Sequence, residues 1–258
     1  MGEVISTGGG SNRRASRRRT QVARIGGPRG LAGGARVAER DAGNTSILGA
    51  MFDPGDPRLK GSEARLWRLI EERTRPGADK AAIDRRIWDL FGETWAVMFT
   101  DLSGFSRRVE EYGVIHFLQT IHEHKELLLP IVADHDGILI KAEADSFLIL
   151  YRRPDAALDC ARAMMAACER INVGRAEEEL ILLCVGIGYG RLLRIGDHDV
   201  YGAEVNAASK LGEDVARAKE ILLTAAAVEE LKARDDVEVE PVGAEVRVAP
   251  GSFRLIGG

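Results

Sequence analysis

No apolar run in the 258 residues approaches the roughly 18 needed to cross a bilayer as a helix. Positive charge near the N-terminus has no apolar segment behind it, so a secretory signal is not expected. Cysteine is scarce. The three present, Cys160, Cys168 and Cys184, sit inside apolar patterns, an odd count in places suited to buried, reduced thiols. That usage points to a cytoplasmic setting. There is no Gly-x-x-x-x-Gly-Lys-Ser/Thr sequence, so a P-loop is not supported. No Ser-His-Asp or Cys-His layout can be argued. Nor is basic charge in excess: 36 Lys and Arg against 40 Asp and Glu give a formal charge of -4. That balance argues against nucleic-acid binding by the chain as a whole.

What is present is unevenly distributed. Residues 1–50 contain no Lys but are rich in Gly, Ser and Arg, with Arg13-Arg14 and Arg17-Arg18-Arg19 in runs. They lack hydrophobic periodicity and are expected to be disordered. This basic leader is either a tail that touches nucleic acid or anionic lipid, or a plain solvated extension upstream of a start at Met51. Residues 51–92 read as a helical N-terminal extension. Leu66, Leu69 and Ile70 repeat at helical spacing, as do Ile83, Ile87 and Leu90, with a break at Pro76-Gly77.

Residues 93–258 have a mixed pattern. Residues 95–100 form a short apolar run ending at Asp101, which reads as a buried strand. A helix follows, with Leu118, Ile121, Leu128 and Val132 on one stripe. Strands are expected over 137–141 and 146–151, then a helix over 155–171 with Ala161, Met164, Met165, Cys168 and Ile171 inward. A strand over 180–188, a helix over 204–218 and a strand over 221–224 complete the series, and the tail adds one or two strands more. The expected fold class is α/β (α+β), with a ferredoxin-like βαββαβ core and additional C-terminal strands. That fold hosts many functions, so the site must decide.

Asp101 closes a buried strand and is followed by a glycine-containing turn and a helix start. A carboxylate there suits a metal-bound phosphate, with hard oxygen ligands for the metal and backbone N–H groups for phosphate oxygens. It equally suits a helix cap. Asp145 lies where a hairpin returns toward Asp101, and two carboxylates converging at strand ends suit a Mg²⁺ pair for phosphoryl or nucleotidyl transfer. A charged hairpin turn would look the same. Asn206 and Lys210, four apart on a helix, share a face beside a Gly-containing turn and Asp199. His122 and His124, two apart on a helix, point to different faces and do not suggest a shared metal.

Taken together these stretches resemble the class III adenylate/guanylate cyclase catalytic domain over about half the chain. Phe99-Thr100-Asp101-Leu102-Ser103-Gly104-Phe105 is similar to the first metal motif of that family. Lys141-Ala142-Glu143-Ala144-Asp145 is similar to its Lys-x-x-Gly-Asp hairpin, with Ala144 for glycine. Gly186-Ile187-Gly188-Tyr189-Gly190 resembles its Gly-Ile-x-x-Gly strand, and Asp199 to Asn206 keeps its spacing. The resemblance implies Mg²⁺ or Mn²⁺ at Asp101, Leu102 and Asp145, and substrate contacts from Ser103, Gly104 and Phe105. It implies purine reading by Lys141 and Asp199, and catalytic roles for Asn206 and Lys210. The implied reaction is adenylate cyclisation at the interface of a homodimer. Lys donates and Asp accepts, which matches the N1 acceptor and N6 donor of adenine, so ATP is the expected substrate.

Three departures accompany the resemblance. Lys210 stands where the family has Arg, which keeps charge but loses the bidentate fork. Ala144 replaces the hairpin glycine. Residues 191–198 are shorter than the usual segment, which bears on the dimer arm. These features support the alternative of a nucleotide-binding or dimerising regulatory module without turnover.

Overall fold

The computed structural model describes residues 61–104, 110–243 and 249–256. The expectations for the basic leader, for a start at Met51 and for Phe105 fall outside that range. In chain order the elements are α1 (Ser62–Thr74), α2 (Lys80–Phe91), β1 (Gly92–Leu102), α3 (Val114–Asp134), β2 (Ile138–Glu143) and β3 (Ser146–Tyr151). Then come α4 (Pro154–Asn172), β4 (Leu183–Ile195), β5 (Asp199–Tyr201), α5 (Ala203–Ser209), a π-helical turn (Lys210–Val215), β6 (Ile221–Leu223), α6 (Ala225–Leu231), β7 (Glu238–Pro241) and β8 (Phe253–Ile256).

The sheet runs β2-β3-β1-β4-β6-β8-β7, with β5 paired to β4 off that path. β1 is antiparallel to both β3 and β4. The four strands β1 to β4 with α3 and α4 make the expected ferredoxin-like core. β6 joins it parallel to β4, and β8 and β7 extend the edge.

Strand alternation divides the core. On one face Met98, Phe147, Ile149, Tyr151 and Ile187 pack with Leu128 and Val132 of α3 and Leu158 and Met164 of α4. On the other, Trp95, Val97, Leu148, Leu150 and Leu192 pack with Val205 and Ala208 of α5. The cysteines are buried free thiols, as expected, and burial pushes Cys160 up to about 11 and Cys168 and Cys184 up to about 12. Such thiols are poor nucleophiles.

α1 and α2 form a hairpin, tied by the Arg73 guanidinium donating to Asp84 at 2.6 Å. Leu66, Leu69, Ile83, Ile87 and Phe91 pack together with Ile195 of β4. Leu90, expected on this stripe, is 46% exposed, and Phe91 takes the inward place. A similar correction applies to α3. Leu118 is 53% exposed, whereas Ile121, His124, Leu128 and Val132 are buried. His124 lies on the inward stripe, stacked on Phe147 with ring centroids 4.5 Å apart.

The expected helix over 204–218 is shorter and changes form. α5 ends at Ser209, the chain continues as a wider π-helical turn, and Ala216 is extended. Close packing accounts for this. A Cβ at Gly186 would meet the Ala208 carbonyl oxygen at 2.2 Å, and a Cβ at Gly212 would meet the Phe99 carbonyl oxygen at 2.9 Å. The glycines of β4 thus let α5 and the following turn lie almost on the sheet backbone. Glu204 anchors the start of α5, accepting from the Tyr189 N–H at 3.2 Å and from the Thr224 hydroxyl at 2.7 Å.

Candidate functional site

Asp101 is the penultimate residue of β1. The β1–β3 register sets Thr100 against Phe147, which carries Asp145 and Ser146 alongside Asp101. Ser146 Oγ donates to Asp101 Oδ1 at 3.2 Å. Asp145 forms the two-residue hairpin turn with Ala144 and is 8% exposed. Burial raises the pKa of both carboxyls. Asp145 goes to about 7, and the nearby Asp101 charge is the second cause. Two partly desolvated carboxylates in contact repel each other, and a divalent cation would relieve that repulsion. Leu102 turns its side chain into the core, so only its backbone can serve a metal. Among the described residues no set of three or more His, Cys, Asp or Glu side chains forms a closed cage. Two carboxylates with substrate phosphates completing the shell is the usual arrangement for Mg²⁺, and the donor set here fits it.

Lys141 reaches the site through an irregularity in its strand. In β2, Leu139 pairs with Ile149 and Lys141 with Leu148, so Ile140 is an extra residue. This bulge turns Lys141 onto the face that carries Leu148, where strict alternation would have sent it toward the main core. Its ammonium donates to Asp199 Oδ2 at 2.9 Å. Asp199 Oδ1 accepts from the Val200 N–H at 2.8 Å. The Tyr201 hydroxyl also donates to Asp199 Oδ2, at 3.0 Å.

Lys141, Asp199, Tyr201, Asn206 and Ser146 line one groove of about 330 Å³. Ser146 thereby joins it to Asp101. Ser103 and Gly104 lie elsewhere, in a depression of about 230 Å³ with Glu111, Tyr112, Glu177 and Glu178. The other position expected to touch substrate, Phe105, is outside the described residues.

Lys210 does not line the groove with Asn206, although the two are four apart. It opens the π-helical turn, and its ammonium is paired with Asp214. Asp214 in turn is close enough for its charge to raise Asp101 slightly.

Two contributors were not anticipated. Ser146 follows Asp145 directly, and its hydroxyl could have been expected to serve the neighbouring strand. Tyr201 is two residues from Asp199, and in a strand that spacing puts both side chains on one side. That signal was available in the sequence.

The sequence profile of the adenylate and guanylate cyclase catalytic domain family matches residues 92–253. The chain is 31% identical over 148 residues to the serine/threonine-protein kinase pkn2 of Myxococcus xanthus, covering 57% of this chain and 18% of that protein. It is 29% identical over 160 residues to an adenylate cyclase of Streptomyces coelicolor, covering 62% of this chain and 38% of that protein. The chain therefore spans well under half the length of these relatives. In structure it resembles the adenylate/guanylate cyclase/hydrolase from Silicibacter pomeroyi, with a TM-score of 0.56 and 23% identity. That match covers 64% of this chain and 95% of the other. At such identity it speaks for the fold.

Proposed function

The chain belongs to the adenylate and guanylate cyclase catalytic domain family, and from that premise we propose that it converts ATP to cyclic AMP and pyrophosphate as a cytoplasmic homodimer. The observation that carries this reading is that the chain holds both halves of such a site. Asp101 and Asp145 converge at neighbouring strand ends, and Lys141, Asp199 and Asn206 line one groove.

Asp101 and Asp145, with the Leu102 backbone, would hold Mg²⁺ or Mn²⁺. Bound there, such ions acidify the ribose 3′-hydroxyl and neutralise phosphate charge. Lys141 donates to adenine N1 and Asp199 accepts from the N6 amine. Asn206 orients the ribose by hydrogen bonding. The backbone N–H groups of residues 103–105 would serve the triphosphate, and Lys210 would supply positive charge to its oxygens. The 3′-oxygen forms a bond to the α-phosphorus, the bond from that phosphorus to the bridging oxygen breaks, and pyrophosphate and a proton leave. In the homodimer the carboxylates of one protomer act with the purine-reading residues of its partner. Two equivalent sites follow from the two-fold symmetry.

A second reading rests on one observation. The Lys210 ammonium is already paired with Asp214, which would withhold its charge from the phosphates and suit a nucleotide-binding regulatory module. Cyclic AMP production by the full chain with ATP and Mn²⁺ separates the two, with Asp101→Asn as control. Product from the wild type that falls at least ~100-fold in the variant supports the enzyme. A folded wild type that binds ATP and makes no product supports the module.

A further inference from the structure

We infer that Tyr201 sets the base selectivity of the purine groove by occupying one oxygen of Asp199. This deepens the purine-reading assignment above and rests on it. An ionised carboxylate offers about two acceptor positions per oxygen. Both positions on Asp199 Oδ2 are taken, one by the Lys141 ammonium at 2.9 Å and one by the Tyr201 hydroxyl at 3.0 Å. Oδ1 has spent one on the Val200 N–H at 2.8 Å. A single directed acceptor therefore remains.

The two purines ask different things of that acceptor. Adenine presents one N–H of its N6 amine beside the N1 acceptor, so one carboxylate position and one Lys141 proton satisfy it. Guanine presents N1–H and N2–H side by side, a pair that binds a carboxylate best through both oxygens at once, as a fork does. With Oδ2 filled, that two-point grip is closed. Guanine is left with an unmade hydrogen bond in a partly desolvated groove, and such a group is costly to bury.

Tyr201 is suited to this blocking role. It lines the groove, is 45% exposed, and is not among the core side chains. Burial, and then the charge of Asp199, push its phenol up to about 12, so it stays a hydrogen-bond donor at any working pH. The backbone beside it is fixed independently, because β5 is held in register on β4 with Leu193 opposite Tyr201.

The test is Tyr201→Phe in the full chain, read by equilibrium binding of 3′-deoxy-ATP and 3′-deoxy-GTP with Mn²⁺. These nucleotides lack the attacking hydroxyl, so binding is measured without turnover. The wild type is expected to prefer the adenine nucleotide. Removing the hydroxyl is expected to narrow that preference about tenfold, chiefly by tightening the guanine nucleotide. Equal weakening of both nucleotides would mean that Tyr201 only supports the fold, and would overturn the inference. So would an unchanged ratio, or a wild type without adenine preference. The enzyme reading is judged separately. A shifted ratio in a protein that makes no cyclic nucleotide upholds the role of Tyr201 and removes the catalysis. An unchanged ratio in an active protein does the reverse.

Discussion

At Ala144 the backbone has φ 47°, in the left-handed region. A residue with a Cβ pays there for crowding against its own carbonyl, about 1 kcal/mol. Ala144→Gly is therefore expected to stabilise the protein by about 1 kcal/mol, or roughly 2–4 °C in Tm for a domain of this size. A thermal melt that moves by less than a degree, or downward, would show that the hairpin carries no such strain. Lys210 is the other residue where the sequence departs from the family pattern. If its charge acts on the phosphates, the planar fork of arginine does so better. Lys210→Arg should then raise kcat by about thirtyfold or more with little change in KM. An unchanged or lower kcat would remove the residue from that role. Both positions were visible in the sequence as departures. What the sequence did not show was the engagement of Lys210 with Asp214, because that depends on where the π-helical turn begins.

Elements were legible wherever their periodicity was simple. β1, β3 and α4 fell close to where alternation and helical spacing placed them, and the approach of Asp145 to Asp101 followed from a hairpin beside an antiparallel strand. Two irregular elements were not legible. Regular helical spacing over 204–218 conceals the π-helical turn, whose cause is contact between Gly212 and the backbone of β1 and β4. Regular alternation in β2 conceals the bulge at Ile140, whose cause is pairing with β3. That bulge decides which way Lys141 points relative to Leu139. Deleting Ile140 would remove the extra residue and, with the pairing to β3 kept, leave Lys141 opposite Leu148 on the face that reaches Asp199. β2 is an edge strand, so the rest of the sheet has room to persist. The expected result is a folded protein whose ATP affinity stays within about threefold of the wild type, whereas Lys141→Ala weakens it at least about tenfold. A folded deletion variant that binds ATP as weakly as Lys141→Ala would mean that the pairing with Leu148 does not aim Lys141.

For the whole molecule, pH engages two buried groups in opposite senses. His124 is fully buried, and neither ring nitrogen has a hydrogen-bond partner among the described residues. Burial first, and the Lys125 charge second, lower its pKa from 6.5 to about 4. Between those values the unfolded chain holds the imidazole proton and the folded chain does not, so stability falls as pH falls. Asp145 is raised from 3.8 to about 7. Across that span the unfolded chain has lost the proton and the folded chain retains it, so stability falls as pH rises. Each slope is at most about 1.4 kcal/mol per pH unit, reduced where water reaches the group. Where the windows overlap the two contributions oppose each other. In EDTA, Asp145→Asn removes one of them and should make stability fall more steeply than in the wild type on acidification below about 6.5. Saturating Mn²⁺ should steepen the wild-type profile in the same way while the ion stays bound, because a coordinated carboxylate gives up its proton. His124→Phe should do the opposite, leaving stability to decline as pH rises toward about 7. Thermal melts of the three proteins across this range, taken as differences from the wild type, isolate each group from the other titrating side chains. If the Asp145→Asn and wild-type curves run parallel in EDTA, Asp145 is an ordinary carboxylate. The two acids would then not be holding a shared proton that a bound metal ion has to displace.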